Sequence, residues 1–193
     1  SSTGPRPFDA NRTGLSPGEA TCLAVFTYRE PTSGDIVLLG AGSSNDANHR
    51  TGPSRTGEGL YRAAIAAIHD AGISAHRIGA VKCHGTATAY NDAMEAKAID
   101  RLFDGDPPPC FSVKGALGHA SGTGALSELL IAAECLRLKR VPGTFGFASR
   151  GVDEPIPVTC SATPLSEPFL LCLSAGFGGI NGAAVLGVAG EHA

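Results

Sequence analysis

Two periods run through the hydrophobic pattern of this chain. From Glu58 to Ala71, Leu60, Ala64, Ala67, Ile68 and Ala71 recur at i, i+4, i+7, i+8 and i+11, an apolar stripe that predicts a helix stopped by Gly72. Ahead of it, Ala20 to Tyr28 (ATCLAVFTY) is rich in β-branched and aromatic residues, Pro31 to Gly34 reads as a turn, and Ile36 to Leu39 continues as a second strand. An antiparallel hairpin is expected there, followed by a polar loop over Gly40 to Thr56. Arg77 to Cys83 is a short strand ending at His84-Gly85-Thr86. Asn91 or Asp92 should cap the next helix, with Glu95 in capping-box spacing from Asp92 and Met94, Ala98 and Leu102 as its buried stripe, until Asp104-Gly105 ends it. Pro107 to Pro109 links to a strand at Cys110 to Val113. The glycine-rich turn KGALGHASGTG then opens a strongly apolar helix, Ala125 to Leu138, that should be covered on most sides. After a Pro-rich crossing from Val141 to Pro168, the apolar runs Phe169 to Ser174 and Ala183 to Val188 flank the tight AGFGGING segment. The order β-β-α-β-α-β-α-β-β predicts a layered α/β unit of about five main strands covered by helices.

Composition narrows the possibilities. The chain has 193 residues, 42% of them hydrophobic, enough for one sizeable core or two small ones and too apolar for disorder. A formal charge of −3 with only 17% charged residues leaves no clustered Lys and Arg to displace counterions, so no nucleic-acid partner is expected. No membrane span is expected either, because the best apolar stretch, Phe169 to Val188, is repeatedly broken by Gly and Ser and contains Asn181. The first 18 residues read as an irregular lead-in, and the opening SSTGPRPFDANRTG has neither an initiator Met nor a signal peptide, as in a processed chain or a piece of a longer one. Cys22, Cys83, Cys110, Cys135, Cys160 and Cys172 are widely spaced, with no C-x-x-C or Cys/His cluster. Reduced, mostly buried thiols, no metal site and a cytoplasmic location are expected.

The candidate chemistry gathers at strand ends, where reactive groups collect in α/β sheets. His84 and His119 each stand where a strand gives way to a glycine-containing loop, with Lys114 five residues before His119 and Glu128 nine after it. A cation, two imidazoles and a carboxylate could set one another's protonation, as acid–base chemistry at neutral pH requires; the residues alone equally allow hydrogen-bonded histidines and an ordinary ion pair. Two other signals fall away. Gly40-Ala41-Gly42 lacks the third glycine of a dinucleotide loop, since Asn45 stands there. Cys83 neighbours His84, but adjacent strand residues point to opposite faces, so it reads as a buried thiol and not a nucleophile. His49, His69, His76 and His192 fit no ligand spacing.

Four ordered segments carry a family resemblance. RPFDANRTGLSPGEA (Arg6 to Ala20), CHGTATAYNDAMEAKAI (Cys83 to Ile99), SVKGALGHASGTGALSE (Ser112 to Glu128) and SAGFGGINGAAVL (Ser174 to Leu186) resemble motifs of the β-ketoacyl-acyl-carrier-protein synthases: R-P-F-D-x-x-R-x-G-x-x-x-G-E, H-G-T-x-T, K-x-x-x-G-H and G-F-G-G. The resemblance implies a thiolase-like fold of two similar α/β halves. This chain would be the C-terminal half, a five-stranded mixed sheet covered by helices, with residues 1–18 as lead-in and 19–193 as the domain. The family condenses an acyl group held on an active-site cysteine with a malonyl-carrier thioester that loses carbon dioxide. That cysteine belongs to the N-terminal half.

By the same resemblance, His84 and His119 would hydrogen-bond the malonyl thioester carbonyl, with Lys114 and Glu128 as a buried charged pair behind His119. Phe177 would be the gating phenylalanine whose N–H serves the oxyanion hole, Gly176, Gly178 and Gly179 would let the backbone approach the substrate, and Thr86 and Thr88 would bind the pantetheine arm. No cofactor is implied beyond the 4'-phosphopantetheine that arrives on the acyl carrier protein. The implied partners are the N-terminal half, that carrier protein and a second subunit in a homo- or heterodimer. Three places depart from the family pattern. Leu173 to Asn181 replaces N-S-F-G-F-G-G-T-N, GEAT at Gly18 to Thr21 replaces G-E-G-A, and Thr88-Ala89-Tyr90 replaces T-P-x. They put substrate choice in doubt and keep open a non-catalytic, chain-length-factor-like partner of a ketosynthase. A thiolase proper would need C-x-G where Ser174-Ala175-Gly176 stands.

Overall fold

The computed structural model describes residues 4–191; His192 lies outside them. In chain order the elements are β1 (Ile36–Asn45), α1 (Glu58–Asp70), β2 (Ile78–Lys82), α2 (Ala89–Leu102), β3 (Cys110–Phe111), α3 (Lys114–Leu117), α4 (Gly124–Arg137), β4 (Arg140–Val141), β5 (Thr163–Pro164), β6 (Phe169–Gly176) and β7 (Ile180–Val188). Five strands form one sheet in the order β1-β7-β6-β2-β3, and β4 pairs with β5 in a small separate ribbon. The sheet is mixed: β2 runs parallel to β3 and β6, whereas β7 is antiparallel to both β6 and β1.

Strand β6 is buried on both faces, which explains its unbroken apolar run. Phe169, Leu171 and Leu173 join the core under α1 and α2 with Leu60, Ala63, Ala67, Met94 and Ile99. Leu170 and Cys172 face the other way, onto Ala132, Cys135 and Leu136 of α4. Each fully buried Leu or Phe contributes roughly 1.5–3 kcal/mol of burial free energy, so the pleat of one strand stabilises both layers.

Several expectations change. Ala20 to Tyr28 has no strand partner within the described residues; the stretch has no regular secondary structure, with Leu23, Val25, Phe26 and Tyr28 exposed at 82, 80, 59 and 108%. The turn after it forms, with Asp35 N–H donating to Thr32 O, but β1 pairs with β7 and no hairpin is made. The expected loop at Gly40 is the second half of β1, which continues to Asn45. A Cβ at Gly40 or Gly42 would lie 2.3 or 2.1 Å from the carbonyl oxygens of Ala67 or Ala63. Those glycines let α1 lie directly on the strand, and their lack of side chains hid the strand from periodicity.

Helix α2 starts at Ala89 behind Thr88, and neither Asn91, Asp92 nor Glu95 caps it. Both carboxylates are wholly buried and hold loops instead. Helix α4 is covered on one face, through Glu128, Ala132, Cys135 and Leu136, while Leu130 and Leu138 are exposed. A four-residue helix, α3, forms within the glycine-rich turn. The irregular lead-in packs inward: Phe8 and Asp9 are fully buried, and Asp9 Oδ2 accepts from Ala148 N–H at 2.7 Å and Ser149 N–H at 2.8 Å.

Candidate active site

The end of β2 organises the site. Alternation sends Val81 and Cys83 into the core under α1 and α2, and Ala80 to the α4 side, where the Lys82 ammonium also finds its partner. Beyond the strand, Glu95 from α2 holds the turn in shape: its carboxylate accepts His84 N–H at 2.5 Å and Gly85 N–H at 2.8 Å. Asp92 accepts Thr86 N–H at 3.1 Å and Phe8 N–H at 2.7 Å, tying the lead-in to the same turn. Burial drives the Asp92 pKa up to about 6 and that of Glu95 up to about 7, against the pull of these donors.

The rings of His84 and His119 meet edge to face, 5.4 Å apart between centroids and at 85°. His84 is buried and His119 half-buried. Lys114, the first residue of α3, aims its ammonium at His84, 3.4 Å from Nδ1 and 2.6 Å from the carbonyl oxygen. Glu128 on α4 joins it: Oε1 is 2.5 Å from Lys114 Nζ and Oε2 is 2.6 Å from Lys82 Nζ. The charged pair expected behind His119 acts on that ring electrostatically, and Lys114 also contacts His84, because α3 turns it toward the end of β2. The Nδ1 of His119 accepts Ser121 N–H at 3.2 Å, from a residue in the left-handed region at φ 48°.

Both imidazoles are held neutral. Burial, then Lys114 and Lys82, push the His84 pKa well below its ordinary value; burial and Lys114 lower that of His119. Burial alone would raise the Glu128 pKa, but the two ammonium groups outweigh it and hold it low. Lys114 is lowered by burial and by the Lys82 charge, while Glu128 keeps Lys82 raised despite burial. With each Nδ1 facing a donor, the proton of each neutral ring falls on Nε2.

The remaining candidates lie at different depths. Thr86 is buried and Thr88 half-buried, with their hydroxyls 2.9 Å apart across Ala87, which sits at φ 64°. Phe177 occupies the β6–β7 turn and is 77% exposed, so it does not fill the core of this chain. Gly178 and Gly179 have φ of 85° and 76°; Gly178 N–H donates to Arg50 O and Asp46 N–H to Gly179 O, which fixes the turn. Gly176 needs neither a left-handed backbone nor a close approach, since an added Cβ would meet only Ile180 O at 3.8 Å. The Cys83 thiol is buried and pushed well up by burial. His49 Nδ1 accepts from Thr51 and Gly52, and His69 and His76 are exposed. Among the described residues no group of His, Cys, Asp and Glu side chains could hold a metal ion, and no helix is long and apolar enough to cross a membrane. All six cysteines are free. Lys82 was not legible as a site residue, although a lysine closing the otherwise apolar strand IGAVK was a signal.

Sheet order and covering helices define a thiolase-like half, with a buried ion cluster and a pair of imidazoles gathered at the end of β2. The chain belongs to the family described as "Beta-ketoacyl synthase, C-terminal domain", which matches residues 36–148. It is 31% identical over 188 residues to 3-oxoacyl-[acyl-carrier-protein] synthase 2 of Mycobacterium leprae, covering 94% of this chain and 45% of that protein. Among solved structures it is similar to the ishigamide ketosynthase/chain length factor, at a TM-score of 0.85 and 26% identity over 98% of this chain and 48% of that one. It is also similar to a structure of the ketosynthase ApeO in complex with its chain length factor ApeC from Xenorhabdus doucetiae, at 0.80 and 33% over 98% and 47%. The chain thus spans about half the length of these relatives.

Proposed function

We propose that this chain supplies the decarboxylating half of a 3-oxoacyl-[acyl-carrier-protein] synthase, an acyltransferase that joins an acyl thioester to a malonyl-carrier thioester. The observation that carries this reading is the facing pair of neutral imidazoles, each with Nδ1 engaged by the protein and Nε2–H left to donate. Two such donors suit a thioester carbonyl oxygen that becomes an enolate oxygen. The malonyl C–C bond to the carboxylate breaks, carbon dioxide leaves, and the electron pair passes into the enolate held by His84 and His119. The enolate carbon then attacks the acyl carbonyl, the C–S bond breaks, and the cysteine of the completing half departs as thiolate. Lys114 and Glu128 position His84. Phe177 and the Gly176–Gly179 turn face the acyl thioester, with the Phe177 N–H as oxyanion donor, and Thr86 and Thr88 hold the pantetheine arm.

On this reading no cofactor is resident, because 4'-phosphopantetheine arrives on the acyl carrier protein, and the setting is the reducing cytoplasm. Residues 1–18 lead into a domain over 19–193, and the exposed apolar residues from Leu23 to Tyr28, with Phe177 and Ile180, suit a covering N-terminal half and a homo- or heterodimer. A second reading, a chain-length-factor-like partner that does not condense, is favoured by the likeness to ketosynthase/chain length factor assemblies and by the altered Leu173–Asn181 stretch. A cysteine at the nucleophile position of the completing half separates the two. The test is malonyl-carrier decarboxylation and condensation by the intact protein. The His84→Ala/His119→Ala double variant should lose about 100-fold or more, and undiminished turnover would sink the reading.

A further inference from the structure

Lys82 is 1% exposed, lies at the end of a strand buried throughout, and makes two strong contacts. Its ammonium donates to Glu128 Oε2 at 2.6 Å and to the carbonyl oxygen of Leu173 at 2.7 Å. Those contacts join three parts of the molecule. Glu128 belongs to α4, Leu173 lies in β6 a few residues before the Phe177 turn, and Lys82 itself leads directly into the His84 turn. Without Lys82, Glu128 would have one buried counterion, Lys114, and both oxygens free to draw it away from His84.

We propose that Lys82 is a positioning residue for the imidazole pair. Its ammonium occupies one oxygen of Glu128 and anchors that carboxylate to the end of β6, so that Lys114 reaches His84 Nδ1 and the His84 carbonyl together. Two ammonium groups on one carboxylate also leave an excess of one positive charge behind the rings. That charge opposes imidazolium formation and favours an anion on the Nε2 side, such as the enolate of the reaction proposed above, on which this part of the inference rests. The groups facing His84 are Lys82 from β2, Lys114 from α3, Glu128 from α4 through Lys114, His119 from the loop after α3, and Glu95 from α2 on the backbone amide. The direction of the His84 pKa agrees, since Lys82 is among the charges that lower it.

The experiment follows histidine ring nitrogens by NMR in the intact protein, wild type and Lys82→Met, as pH is varied. In wild type, His84 should stay neutral with its proton on Nε2. In Lys82→Met the His84 titration should move upward. Malonyl decarboxylation should fall about tenfold, the scale of one lost charge-assisted hydrogen bond, with its acid limb moved to higher pH. An unchanged His84 titration, or a uniform loss at every pH, would overturn the proposal. Should Lys82→Met fail to fold, wild type still decides. A His84 proton on Nδ1, or a Lys82 ammonium that deprotonates below about pH 8, overturns it without any variant. If the His84→Ala/His119→Ala variant keeps its turnover, the proposed function falls, and the ring-nitrogen titration still judges Lys82 separately.

Discussion

The corner around His84 and the apolar rim, two exposed stretches separate in sequence at Leu23–Tyr28 and the Phe177 turn, invert the usual distribution of polarity. At the corner, Lys82, Lys114, Glu128 and His84 are between 1 and 6% exposed; at the rim, Leu23, Val25, Phe26, Tyr28 and Phe177 are between 59 and 108% exposed. Buried charge is tolerated where every partner lies within the chain, because desolvation is offset by ion pairing and by backbone donors and acceptors. The rim has no such internal solution. Its apolar side chains find little cover among the described residues, the kind of surface that favours association. The ionisable groups are thus preorganised locally, whereas the apolar side chains of the rim are left open.

The sharpest way to break the contrast is to remove one partner at the corner. Glu128→Ala strands two buried ammonium groups and should destabilise the chain by about 3–5 kcal/mol, read by denaturant unfolding. Next comes pH. Asp92 and Glu95 have folded pKa values of about 6 and about 7, above their ordinary 3.8 and 4.5, so the folded state retains protons that the unfolded chain has released. Their contribution is complete below the ordinary values and is lost as pH rises through about 6 and about 7. That loss is on the order of 3 kcal/mol for Glu95, and Glu95→Gln should flatten the stability profile between those limits.

At the rim the effects are smaller. Gly179→Ala, at φ 76°, should cost about 1–2 kcal/mol, whereas Gly176→Ala should stay below about 0.5 kcal/mol in thermal unfolding. Phe177→Ala should leave stability within about 0.5 kcal/mol, since the ring contributes little burial here. Sedimentation of the 193-residue chain should show self-association that Leu23→Ser/Tyr28→Ser reduces. A well-behaved monomer before substitution would show that the rim needs no cover.

Periodicity located α1 to within a residue, because an amphipathic helix on one layer must show its stripe. It found Ile36 to Leu39 but missed the rest of β1, where the glycines that lie against α1 carry no hydrophobic signal. It misread Ala20–Tyr28 as one arm of a hairpin, since strand composition says nothing about where the partner strand lies. The motif resemblance singled out His84, His119, Lys114 and Glu128, and the fold brings all four together. It did not show that Lys114 also hydrogen-bonds His84, because the helical turn at Lys114, which decides the direction of that side chain, was read as loop.

By itself the sequence determined the residue types that matter, the α/β order and the family, because these depend on local pattern and on motif spacing along one chain. The tertiary structure decided that Asp92 and Glu95 clamp loops instead of capping a helix. It also decided that Glu128 is shared by two lysines and that Lys114 serves His84. Each of those facts depends on which face of a strand or helix a side chain leaves from and on what is packed opposite, and buried charges have no choice but to pair with what the fold places there.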